Sequence, residues 1–165
     1  MKYAVVYRSL TGNTRILAEK IQKEKGKEDC VYFGEPDDKA KEAEVLYVGF
    51  WTDKGNCDDK IQEFLQNIHK KKIYMFGTAG FGKEESYFER ILANVISCIP
   101  EDNQIGKGFM CQGKMPVSVR KRYEAMLEEN PQDERMKMMI ENFDQALSHP
   151  DEKDMQKLKE WIQKA

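Results

Sequence analysis

The feature that most constrains this chain is an alternation. Short, continuous apolar runs rich in β-branched and aromatic residues are separated by longer segments with helical spacing. The runs are Tyr3 to Tyr7, Cys30 to Phe33, Val45 to Phe50, Ile73 to Gly77 and a weaker one at Phe109 to Cys111. Between them Leu17 and Ile21 mark one helix, Ile61, Phe64, Leu65 and Ile68 a second, and Phe88, Ile91, Leu92, Val95 and Ile96 a third. Strands that are apolar throughout, rather than at every second residue, are buried on both faces. That is the condition of a parallel sheet flanked by helices. The expected architecture is α/β: a doubly wound, five-stranded parallel sheet in a single domain over residues 1–165.

After Pro116 the pattern is helical only. Val119, Tyr123, Met126 and Leu127 form one stripe; Met136, Met139, Ile140, Phe143 and Leu147 a second; Met155, Leu158, Trp161 and Ile162 a third. The segment 117–147 is therefore an extra helical insertion before a C-terminal helix. Asn130-Pro131 and His149-Pro150-Asp151-Glu152 read as helix starts, with proline in the first turn and acids facing the positive helix end. The methionines of the middle stripe suit a core, with a docking surface as the less common use of such a stripe.

Charge excludes some functions. The net charge is −2, with 18 basic and 18 acidic residues up to Pro116, then 9 and 11 after it. Neither part is a nucleic-acid surface or an acidic tail. The N-terminal apolar run is far too short for a signal sequence or a membrane span, so a cytoplasmic protein with no membrane or nucleic-acid partner is expected. Cys30, Cys57, Cys98 and Cys111 show no metal-ligand spacing, and reduced, partly buried thiols are expected with no metal site.

The first strand is followed by Arg8-Ser-Leu-Thr-Gly-Asn-Thr-Arg15. A strand-to-helix turn gathers free backbone N–H groups at the positive end of a helix dipole, which suits an anion. Gly12 permits close approach, and Ser9, Thr11, Asn13 and Thr14 add neutral hydrogen-bonding groups. A nucleoside triphosphate loop would carry a lysine, and a dinucleotide loop three spaced glycines; neither is present. The loop suits a terminal monophosphate, the alternative being a polar turn that caps the helix through Asn13 or Thr14. The third and fourth runs end in Trp51-Thr52-Asp53-Lys54-Gly55 and Thr78-Ala79-Gly80-Phe81-Gly82. In an open α/β sheet these carboxyl ends meet the first loop at the switch point where ligands bind. An aromatic ring system with a phosphate tail fits that set.

On these residues the sequence resembles the flavodoxins. Ser9-Leu-Thr-Gly-Asn-Thr14 is similar to their phosphate loop and occupies its place directly after the first strand. The Trp51 and Phe81 segments stand where the two flavin-flanking loops lie, and the final Ser148-His-Pro-Asp-Glu segment is similar to a C-terminal helix start in flavodoxin-like proteins. The resemblance implies FMN as cofactor. Ser9, Thr11, Asn13 and Thr14 would hold its phosphate, with N–H groups from Leu10 and Gly12. Trp51 and Phe81 would pack against the flavin, and Thr52 to Gly55 (through Asp53 and Lys54) and Thr78 to Gly82 would line its polar edge. It also implies an electron carrier, without catalytic residues of its own, serving a reductase and an electron acceptor. An FMN-dependent reductase or oxidase acting on a quinone or tetrapyrrole is the alternative, and a flavin-dependent sensor a third. Two departures bear on partners: the charge is nearly balanced where many flavodoxins are acidic, and the helical segment Val117 to Leu147 is additional.

Overall fold

A computed structural model of the chain describes residues 1–82 and 84–165. The elements in chain order are β1 (Tyr3–Tyr7), α1 (Asn13–Lys25), β2 (Cys30–Gly34), a 3-10 turn (Asp38–Glu42), β3 (Val45–Trp51), α2 (Asp59–Gln66), β4 (Lys72–Ala79), α3 (Glu85–Ile96), β5 (Gln104–Ile105), β6 (Phe109–Gln112), α4 (Val117–Glu129), α5 (Glu134–Ala146) and α6 (Glu152–Lys164). All strand pairs are parallel, and the order is β2-β1-β3-β4, with both β5 and β6 paired to β4.

The fifth position of the sheet is thus filled by two short pieces where one strand was expected. Between them runs Gly106-Lys107-Gly108. A side chain at Gly106 would collide with the Tyr74 ring, 2.2 Å from its nearest atom, so the backbone lies hard against β4 there. The Lys107 carbonyl leaves the ladder and accepts a hydrogen bond from Trp161 Nε1 at 2.8 Å. Gln104 and Ile105 are exposed, which is why no apolar run marks β5 in the sequence.

The sheet separates two cores. On one side Leu46, Val48, Phe50, Ile73 and Met75 meet α2 and α3 through Ile61, Phe64, Leu65, Ile91 and Val95. On the other Tyr3, Val5, Tyr47 and Phe76 meet α1 and α6 through Leu17, Ala18, Ile21, Leu158, Trp161 and Ile162. Adjacent residues such as Leu46 and Tyr47 serve opposite cores, as alternating side-chain directions require. Tyr47 stacks on Tyr74 with centroids 5.2 Å apart, and Trp161 meets both edge-on.

The helix starts near Pro131 and Pro150 differ from expectation. Asp133 and Asp151 are the caps, accepting from the N–H groups of Met136 and Asp154, so each proline lies ahead of its cap rather than in the first turn. A carboxylate that reaches an N–H three residues on fixes the cap position and pushes the proline outward. Leu147, expected on a buried stripe, is exposed just past α5. The four cysteines are free thiols, with Cys57 and Cys111 buried. Among the described residues no helix is long and apolar enough to cross a membrane.

Candidate functional site

The first loop is built around an uncapped helix. Arg8, after β1, is held at Asp58 Oδ2 (2.8 Å) and Glu35 Oε1 (2.9 Å); the Asp58 hydrogen bond raises its pKa further above the usual range. Asp58 also caps α2 by accepting from the Ile61 N–H. The end of β1 is thereby tied to the start of α2. Gly12 then takes φ 90°, a left-handed conformation that glycine adopts without penalty, and α1 begins with no side-chain cap and no acid in its first turn. Among the described residues the N–H groups of Leu10, Thr11, Gly12, Asn13 and Thr14 have no partner. The next, from Arg15, is directed at Ser9 Oγ at 3.4 Å. Five consecutive free donors at the positive end of a helix are the groups that anion binding requires.

Three side chains of this loop are hydrogen-bonded to backbone carbonyls of other elements. Thr14 is fully buried; its hydroxyl donates to the Phe50 carbonyl at 3.2 Å and lies 3.4 Å from the Thr78 hydroxyl. A hydroxyl has one proton to give. Thr14 therefore adds its N–H to that set while its side chain joins α1 to β3 and β4. Asn13 Nδ2 (2.8 Å) and Thr11 Oγ1 (3.2 Å) both donate to the carbonyl of Lys114, which arrives from the segment after β6. Neither Asn13 nor Thr14 caps the helix. Asn13 is 5% exposed, and its Oδ1 is buried without a partner. A buried acceptor left without a donor is rare in folded proteins.

The other two loops converge on the same point, though less of them is loop than expected. Trp51 is the last residue of β3, half-buried and outside both cores. Asp53 to Asn56 form a tight turn with reciprocal backbone hydrogen bonds (2.8 and 3.0 Å) and positive φ at Lys54 (52°) and Gly55 (78°), the signature of a type I′ turn. The Gly55 carbonyl accepts from Asn94 Nδ2 of α3 at 2.9 Å. Thr78 and Ala79 were expected in the second loop but continue β4. They are buried beside Cys111 and Gln112 of β6, and their carbonyls accept from Thr52 and Gly113. Only Gly80, Phe81 and Gly82 are left half-exposed at that edge, with Phe81 edge-on to Tyr87.

Several residues that build the site gave no local signal. Lys114, Gly113, Gln112 and Asn142 lie far along the chain from the loops they touch. Gly113 must be glycine, because a Cβ there would come within 2.4 Å of Asn13 Nδ2. His149 is half-buried. Its carbonyl accepts from the Lys114 N–H, while its ring bonds Asp154 at 2.6 Å. Burial pushes the thiol of Cys57, just after the type I′ turn, up to about 12, which favours the protonated form. A cavity of about 760 Å³ lies along the sheet edge among Tyr74, Phe88, Lys107, Phe109 and Trp161, and touches the candidate site only at Gly82.

Comparisons with known proteins agree with this fold. The flavodoxin domain model matches residues 4–163. The flavodoxin-like domain-containing protein BilS of Clostridium symbiosum (strain WAL-14163) is 46% identical over 172 residues, covering 94% of this chain and 90% of that protein. Oxidised flavodoxin 2 from Bacillus cereus superposes with a TM-score of 0.55 at 17% identity, over 98% of this chain and 95% of the other. A flavoprotein from Lactobacillus acidophilus NCFM in complex with FMN superposes with a TM-score of 0.50 at 14% identity, over 67% of this chain and 93% of the other. This chain belongs to the flavodoxin domain family, with its sheet order and with two helices inserted before the last.

Proposed function

We propose that the protein binds FMN and carries electrons between a reductase and an acceptor protein. The observation that carries the reading is the run of five free N–H groups, Leu10 to Thr14, beside two half-exposed aromatic side chains, Trp51 and Phe81. The cradle suits a dianionic phosphate, since backbone dipoles hold it without a competing counter-ion. The unpaired Asn13 Oδ1 needs a donor, and the hydroxyl groups of a ribityl chain are donors. FMN supplies reversible electron transfer; the protein supplies binding, orientation and a surrounding field.

Each part of the chain has a task in that reading. The α1 start and Ser9 hold the phosphate end. Trp51 and Phe81 exclude water from the ring and present flat apolar surface to it. The Asp53–Asn56 turn stands at the exposed edge, with one carboxylate and one ammonium group beside it. Thr14, Thr52 and Thr78 cross-link the start of α1 to the ends of β3 and β4, so the loops keep their spacing whatever the ligand state.

Titration of apoprotein with FMN and with riboflavin tests this reading. Hydrogen bonds to a charged group are worth about 1.5–3 kcal/mol each, so FMN should bind at least tenfold more tightly than riboflavin. Trp51 fluorescence should be quenched on binding, while Trp161, buried in the opposite core layer, should keep most of its emission. Equal affinities for the two flavins would remove the phosphate assignment, and binding with no change in Trp51 emission would remove Trp51 from the ring site.

A further inference from the structure

The helical insertion is hydrogen-bonded to a site loop at the Gly80 carbonyl oxygen. The Gly80 carbonyl oxygen accepts from Asn142 Nδ2 of α5 at 3.0 Å and from Gln112 Nε2 of β6 at 2.8 Å. The two amides are joined to each other, Gln112 Nε2 to Asn142 Oδ1 at 3.3 Å. The accounting is complete: both lone pairs of the Gly80 oxygen are taken, and both N–H bonds of the Gln112 amide have acceptors. Gln112 is buried, and Gly80 lies so close to Met115 that a Cβ would come within 2.4 Å of its sulfur. The carbonyl cannot rotate without breaking this triad.

A trans peptide is planar, and its C=O and N–H point in opposite directions. Donors that fix the Gly80 oxygen on the α5 side therefore fix the Phe81 N–H on the other side. Among the described residues that N–H has no partner. We propose that Asn142 is a positioning residue: with Gln112 it aims the Phe81 N–H at an acceptor atom on the edge of the bound ring system. The inference rests on the flavin reading of the site and gives the insertion its role there. An amide is required at 142 because it must donate to Gly80 and accept from Gln112 at once. A carboxylate of the same shape accepts only, and would repel the Gly80 oxygen.

The test compares Asn142→Asp, Asn142→Ala and Gln112→Glu with the parent protein, using FMN and riboflavin as probes. Each variant should weaken both flavins by about tenfold and by the same factor, because the lost contact is to the ring and not to the phosphate. The flavin midpoint potential should shift, which loss of α5 packing alone would not produce. Asn142 is half-buried on a helix face, so the two Asn142 variants should fold and keep the test decisive even if the buried Gln112→Glu does not. In apoprotein, Asn142→Asp should also move the Phe81 amide resonance in a ¹⁵N-correlated spectrum. Unchanged affinities and potential in the variants would overturn the proposal, as would weakening of FMN alone. Failure of the parent protein to bind either flavin would overturn the flavin reading instead; the Phe81 resonance then still decides whether Asn142 orients that peptide.

Discussion

The sheet body and the α4–α5 hairpin use burial in opposite ways. Between Tyr3 and Gln112 each helix lays an apolar face on the sheet, and α6 returns to complete the second core. Between Val117 and Ala146 the two helices pack chiefly on each other. Tyr123, Met136 and Phe143 are buried there, yet none belongs to either sheet core. Arg120 crosses between the two helices with paired hydrogen bonds to Asp144 at 2.9 and 3.0 Å. The polar contact of the hairpin with the site loops is Asn142 at Gly80. A fold can lose or alter such an appendage with little harm to its cores, while the loop it holds feels the change directly. The body determines whether the chain folds; the hairpin determines how one edge of the site is presented.

The comparison is broken or sharpened most strongly by truncating one phenylalanine in each region. Phe50 is fully buried in β3, and Phe50→Ala should remove about 3–5 kcal/mol from global unfolding measured with denaturant. Phe143 is almost as buried, but Phe143→Ala should act locally. Amide exchange over α4 and α5 should accelerate while the strands keep their protection, because regions with separate packing open separately. Equal shifts of a single transition in the two variants would show that hairpin and sheet form one cooperative unit.

A smaller effect separates side chain from backbone at the phosphate loop. Thr14→Val keeps the shape but removes the hydroxyl donor to the buried Phe50 carbonyl, so unfolding free energy should fall by about 0.5–1.5 kcal/mol. The preference for FMN over riboflavin should survive, since the free N–H groups remain. A variant that is stable but no longer distinguishes the two flavins would return the Thr14 hydroxyl to the phosphate site.

These cases show what the sequence could and could not disclose. Long apolar runs such as Val45 to Phe50 and helical stripes such as Ile61 to Ile68 carry their own period, so strands and flanking helices were readable. The Gly12 turn and the aromatic strand ends were readable because each signal lies within a few residues. β5 was not, since two exposed residues held only by β4 leave no pattern. Thr14 was readable as part of the turn into α1, but not the direction of its hydroxyl, which depends on β3 and β4 ending beside α1. Lys114, Gln112 and Asn142 were invisible for the same reason: their partners lie between 32 and 103 residues away.

The smallest expected effect concerns two carboxylates, one in each region. The Arg120 hydrogen bonds hold Asp144 below its ordinary value of 3.8, and the Asp154 N–H, accepted in the α6 cap, holds Asp151 below the same value. A carboxylate whose pKa is depressed on folding contributes stability above its unfolded value and loses that contribution as pH falls through its folded value. Both contributions are therefore complete at neutral pH and vanish only below about pH 4. Asp144 is exposed and Asp151 partly so, and both are screened by salt, which keeps the effects small. Amide spectra followed from pH 7 downward should show α4 and α5 responding through Asp144, and α6 through Asp151. Asp144→Asn should remove the first response and leave the second intact. Should that substitution also alter the acid response of α6, the hairpin and the body would be coupled through more than Gly80, and their separation would have to be redrawn along the Lys114–His149 hydrogen bond that joins the loop after β6 to the α6 cap.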